Sequence, residues 1–234
     1  MNHLRFEEIL ATVEAFNDAE LKRRRDYYAE LCENEPQTES FEQHLERYAD
    51  LVRTGNAVGA GEIAELAARI TMPVPDELQA FYHVIGSLHC RDAQLFALPE
   101  LLGCYRGVPT EYGVAKSIGI IDMIRLCWGN DRFEFEPPNG YITQAEVDAL
   151  NGAYACVGWY MPEDEESARY VYFDRQGNFG TIFYHQDAFD ELYADDLLPM
   201  LTASPANHSL SEIILEIMQT VAKPSNIDDE NDDA

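Results

Sequence analysis

Positive charge is what this chain has least of. Its 234 residues hold 16 Lys plus Arg against 43 Asp plus Glu, a formal net charge of −27. A nucleic-acid-binding surface must displace counterions from phosphates with basic groups, so that class is excluded. Docking on anionic membranes is disfavoured on the same ground. A basic protein partner would instead be attracted and steered towards the chain. Solubility alone is the other account of such a charge. Lys22-Arg23-Arg24-Arg25 is the only basic cluster. It reads as a solvated helix face or as cations paired with the protein's own acids.

Other absences narrow the field further. No apolar run approaches the length of a membrane span, and MNHLRFEEIL lacks the basic-then-apolar pattern of a signal peptide. The five cysteines, Cys32, Cys90, Cys104, Cys127 and Cys156, are scattered without a CxxC pair. They read as buried free thiols of a reducing compartment, so a cytoplasmic protein is expected. There is no GxGxxG, no GxxxxGK[ST], no GxSxG and no HExxH, which leaves nucleotide binding, hydrolase elbows and zincin chemistry without support. His89-Cys90 beside Asp92 is a two-residue coincidence rather than a metal site. No metal or cofactor is expected.

What is present centres on Tyr154 to Leu192. Tyr154 to Tyr160, Arg169 to Asp174 and Asn178 to His185 are Val-, Ile-, Tyr- and Phe-rich runs that suit a pleated surface. Asp174-Arg175-Gln176-Gly177-Asn178 is turn chemistry, with Gly177 where a positive φ is needed. Val171 and Phe173 alternate with Tyr170, Tyr172 and Asp174, which predicts a β-meander with one face more buried.

The flanking segments read as helices. Leu4, Ile9, Val13 and Phe16 follow helical spacing, and Leu21, Tyr28 and Leu31 continue a second apolar face. Ser40 caps a helix from Phe41 to Val52. Thr54-Gly55-Asn56 and Gly59-Ala60-Gly61 punctuate the chain, and the boundary between extension and core is placed there. A short helix from Glu62 carries Ile63, Leu66 and Ala67. Pro75 opens the next, with Leu78, Phe81, Tyr82 and Ile85 on its apolar face and Gly86 at its end. Gln94 to Leu98 reads as a strand, then a short helix runs through Tyr105. Ser117 to Trp128 reads as a buried helix, a strand being the alternative. Thr143 and Glu146 form a capping box. Leu210 to Val221 is the last helix, followed by an acidic tail.

Helices first and a sheet with helices afterwards predict an α+β fold. The organisation is residues 1–60 as an N-terminal helical extension, 61–223 as an α+β domain and 224–234 as a disordered tail.

Two polar clusters invite a chemical reading. His185 and Asp187 have the types of a hydrolase base and its orienting acid; Asp187 also suits a helix cap, and no nucleophile accompanies them. Glu163-Asp164-Glu165-Glu166 reads as a solvated acidic loop or a contact surface. The wider pattern is more telling. Between Arg132 and Arg169 there are eight acids and no basic residue, and after Arg175 there are twelve acids against only Lys223. Carboxylates concentrated on the sheet half suit a one-sided docking surface for a basic partner.

Several stretches resemble the SUKH superfamily. PVPDELQAFYHVIGS at 73–87 resembles its opening; IIDMIRLCWGNDRFEF, VDALNGAYACVGWY and YVYFDRQGNFGTIFYHQDAFDEL resemble its middle and C-terminal part; SLSEIILEIM resembles its last helix. The likeness spans roughly 62–222. GSLHC stands where many relatives have an Asn-Gly-Gly-like turn, and residues 1–60 fall outside the common core. The resemblance implies a mixed or antiparallel sheet flanked by helices. It also implies an immunity protein that neutralises a cognate bacterial toxin, often a nuclease, or a regulator acting through protein contacts. It brings no catalytic residues. The residues expected to meet such a partner are Glu163, Asp164, Glu165, Glu166, Asp190, Glu191, Asp195 and Asp196. Trp159 and Tyr160 are aromatic anchors if exposed and core residues otherwise.

Overall fold

Helix α1, Asn2–Asn34, is the longest element of the computed structural model, which describes residues 2–34, 38–107, 116–127, 143–162, 167–185 and 206–220. Its inward stripe begins apolar. Phe6, Ile9 and Val13, three or four residues apart, are all buried. Phe6 meets Phe81 edge-on, with ring centroids 5.9 Å apart. Phe81 belongs to helix α4, Asp76–Val84, which α1 packs against together with the last helix, α8, Leu210–Thr220.

Further along, the same stripe turns charged and aromatic. Glu20 and Arg24 are both buried, and Arg24 Nε donates to Glu20 Oε1 at 2.9 Å. Arg23 also pairs with Glu20, at 2.6 Å. Two members of the basic cluster are therefore internal, at the i+3 and i+4 spacing that brings helix neighbours together. Helix α2, Phe41–Tyr48, closes over the stretch that follows. Ser40 and Gln43 cap it reciprocally. Its His44 is buried between the rings of Tyr27, Tyr28 and Tyr48, at centroid distances of 6.0, 5.2 and 4.9 Å. Tyr28 donates its hydroxyl proton to the Glu39 carbonyl. Between the two regimes, the Asn17 amide donates to the Val52 carbonyl at 2.8 Å and accepts from the Val52 N–H at 2.9 Å.

Among the described residues, six strands form one sheet in chain order: β1 Arg53–Thr54, β2 Leu88–Cys90, β3 Ala93–Leu95, β4 Tyr154–Tyr160, β5 Ser167–Asp174 and β6 Phe179–His185. Every pairing is antiparallel. The α+β architecture expected from the sequence is present, with an antiparallel rather than mixed sheet. The meander β4–β6 stands where its alternation and turn residues put it. Gly177 has φ +84°, and the Asp174 carboxylate accepts from the N–H groups of Gln176 and Asn178.

Two expectations are corrected. Strand β1 takes in Thr54, which was read as punctuation, β2 spans Leu88–Cys90 of the GSLHC stretch, and β1 pairs Arg53 with His89. That pairing, with Phe6, Ile9 and Val13 in the common core, knits the N-terminal stretch to the rest. The second correction concerns the meander's faces. Tyr170, Val171, Tyr172 and Phe173 are all fully buried, so neither side is the solvated one. Helices cover both. Tyr160 on one side reaches Glu216 of α8. Cys156 on the other lies near Cys104 of helix α5, Leu98–Tyr105, whose thiol sits 3.8 Å from the Met123 sulfur on helix α6, Ile120–Cys127.

Local chemistry fixes the remaining joints. Helix α3, Ala60–Arg69, is tied to Arg106 beyond α5 by Glu65, at 2.6 Å. Helix α7, Gln144–Asn151, begins with the expected capping box between Thr143 and Glu146. Its last residue, Asn151, accepts from the Ile121 and Asp122 N–H groups and so caps α6 from outside. Gly86 ends α4 at φ +79°, and a β-carbon there would lie 2.1 Å from the Asn56 carbonyl oxygen. Cys90, Cys104 and Cys156 are buried, and burial pushes their thiols up to about 11, 11 and 12. Cys32 is exposed, against expectation, because it lies off the buried stripe of α1. Among the described residues no helix is long and apolar enough to cross a membrane.

Candidate partner-binding face

Antiparallel register aligns Tyr160 of β4, Arg169 of β5 and Phe183 of β6 as direct neighbours across the meander, on one side of the sheet. Parity along β4 is not simple. A bulge between Cys156 and Gly158 shifts the register by one residue, so Trp159 shares a face with Cys156 and Tyr160 turns to the other. Thr181, opposite Val171, joins the Tyr160 side. This row lies at the end of the meander where the chain leaves β4 and enters β5.

Tyr160 donates to Glu216 Oε1 at 2.7 Å, and Thr181 lies on the same side of the sheet as the phenol. Burial, then the neighbouring Glu216 carboxylate, pushes the phenol well above its ordinary value; Arg169 and Thr181 oppose this. The Arg169 guanidinium carbon lies over the Phe183 ring, 5.5 Å from its centroid. The arrangement is a polar row roofed in part by α8. It can hold a charge, but it contains no base poised beside a nucleophile.

Tyr160 is the clear correction among the expected contacts. It is 0% exposed, so it is a core residue and not a surface anchor. The bulge is the reason, since it directs the ring under α8. Trp159, opposite Gln94 and Tyr170, is partly buried and packs on the core. Glu163, Asp164, Glu165, Glu166, Asp190, Glu191, Asp195 and Asp196 lie outside the described residues. So do Asp187, the 186–201 segment and the 221–234 tail. His185 ends β6. His89 and Cys90 point to opposite faces of β2, one exposed and one buried, so they do not converge on one ion.

No family model matches the chain, and no curated protein or solved structure does either. The SUKH likeness therefore rests on the residues quoted for it. Sequence reading passed over Arg169, Thr181 and Glu216. One signal was available: Arg169 is the only basic residue between Arg132 and Arg175.

Proposed function

We propose that the protein is a non-catalytic binding protein that neutralises a basic protein partner, a bacterial toxin of the kind the SUKH resemblance implies. The observation that carries the reading is the distribution of charge. The sheet half bears long acidic runs with almost no basic residue, and the five acids of the tail account for only five of the 27 net negative charges. Exposed Glu146 and Asp148 on α7 and exposed Glu212 and Glu216 on α8 extend this acidity to helices around the meander. A nuclease must be basic where it grips phosphate, and such a surface is complementary to this one. The five scattered cysteines, with no CxxC pair, support an encounter in a reducing compartment.

Co-expression with the product of a neighbouring toxin gene tests the reading. Restored growth and co-purification at a fixed ratio are expected. Reversing the charge of residues 163–166 should slow capture most at low salt, because screening shortens the reach of rim charges to about 10 Å at 0.1 M. Unchanged capture at low salt removes those four residues from the interface. A cellular regulator with no toxin partner is the reading that gains if rescue and complex both fail with both proteins folded.

A further inference from the structure

Three arginine side chains with described surroundings are at least partly buried: Arg23, Arg24 and Arg169. The first two meet Glu20. Arg169 meets no carboxylate within 4 Å among the described residues; it lies over the face of Phe183 and beside Tyr160. This is unexpected in a chain with 43 acids. A guanidinium withdrawn from water loses hydration that an aromatic face replaces only in part. The Tyr160 hydroxyl does not complete it, since its proton goes to Glu216. Among the described residues, no carboxylate closes the edge of its fork of N–H donors.

We infer that Arg169, backed by Phe183 and flanked by Tyr160 and Thr181, is a seat for a carboxylate brought by the binding partner. A guanidinium backed by a ring offers two parallel N–H donors, which match a planar carboxylate. The surroundings select the anion. Glu216 faces the same row from α8, and the whole molecule repels negative charge, so a monoanion is admitted more readily than a phosphate dianion. A basic partner would thus carry one acidic residue amid its cations, a device that fixes register where the acidic rim supplies attraction. That the carboxylate belongs to a protein rests on the partner-binding reading. The seat itself does not.

The test is an NMR titration of arginine Nε–Hε signals, replacing chloride by acetate at constant ionic strength. The Arg169 signal should shift and saturate in the range of roughly tens of millimolar acetate, as one charge-assisted fork supports. Exposed Arg53 and Arg91 should drift linearly. Inorganic phosphate should act more weakly than acetate. Phe183→Leu should weaken the midpoint about two- to fivefold. Arg169→Lys, followed at the Phe183 amide, should abolish saturation while leaving the fold intact. The seat is overturned if Arg169 follows Arg53 and Arg91. It is also overturned if neutralising residues 163–166 as Gln and Asn shifts Arg169, without acetate, as far as saturating acetate does, because the carboxylate would then be the protein's own. These outcomes are independent of toxin capture, so failure of the seat and failure of the partner reading are distinguishable.

Discussion

The two halves of helix α1 bury the same stripe by opposite means. From Phe6 to Val13 the seam is hydrocarbon set against α4 and α8. From Glu20 to Tyr28 it is a buried ion pair followed by tyrosines around a histidine. The spacing is helical throughout, so periodicity alone does not determine what lies inside. The front half is stabilised by removal of apolar surface from water and tolerates no void. The rear half depends on each charge having its partner, since a buried charge left alone is costly. One half should fail by losing volume and the other by losing a partner.

Truncation should damage the front half most. Phe6→Ala is expected to lower unfolding free energy by about 3–5 kcal/mol in urea titrations. A loss under about 1 kcal/mol would mean that the α1–α4 contact is not part of the cooperative core.

In the rear half, Glu20→Met alone should lose about 3 kcal/mol, because Arg24 and Arg23 lose their shared carboxylate. Adding Arg24→Met should recover most of that loss, as apolar replacements of whole buried ion pairs commonly do. No recovery in the double variant would break the comparison by showing that the rear seam also depends on shape. A smaller effect is expected at the clasp over that seam. Ser40→Ala removes the side-chain cap of α2 and should cost about 1 kcal/mol. Hydrogen exchange should show the loss in α2 and the rear of α1, with Phe6 to Val13 still protected.

The smallest effect concerns pH at the front half. The Ser209 N–H and hydroxyl, with a minor contribution from Arg5 of α1, hold the Glu212 carboxyl below its usual value. A depressed folded value means that stability is present above the ordinary glutamate range, near 4.3, and is lost as pH falls through the folded value. Acidification should therefore loosen the start of α8. Carbon-detected titration of Glu212 checks this, and Glu212→Gln should remove the step.

Legibility in the sequence followed locality. The meander was readable because strand alternation and turn chemistry lie within 32 consecutive residues, from Tyr154 to His185. The caps at Ser40 and Thr143 were readable for the same reason. Strands β1 and β2, two and three residues long, are too short to show a period. The Asn17–Val52 contact joins residues 35 apart through a side chain, for which no pattern exists. At the candidate face, the acidic runs were plain from composition. The fate of Tyr160 was not, because one bulged residue exchanges the sides of everything after it. Arg169 drew no attention because its significance lies in what surrounds it.

The paired bonds from Asn17 to Val52 have a mechanical consequence. A side-chain amide offers a donor and an acceptor side by side, as a peptide group does, and here it engages both polar groups of one residue at once. One step along a helix advances it 1.5 Å and turns it by about 100°. Either displacement would carry the amide out of reach of both groups. Helix α1 is thereby pinned against sliding and against rolling, like a key in a slot. The pin stands between its two unlike halves, so the rear half can loosen without moving the front out of register.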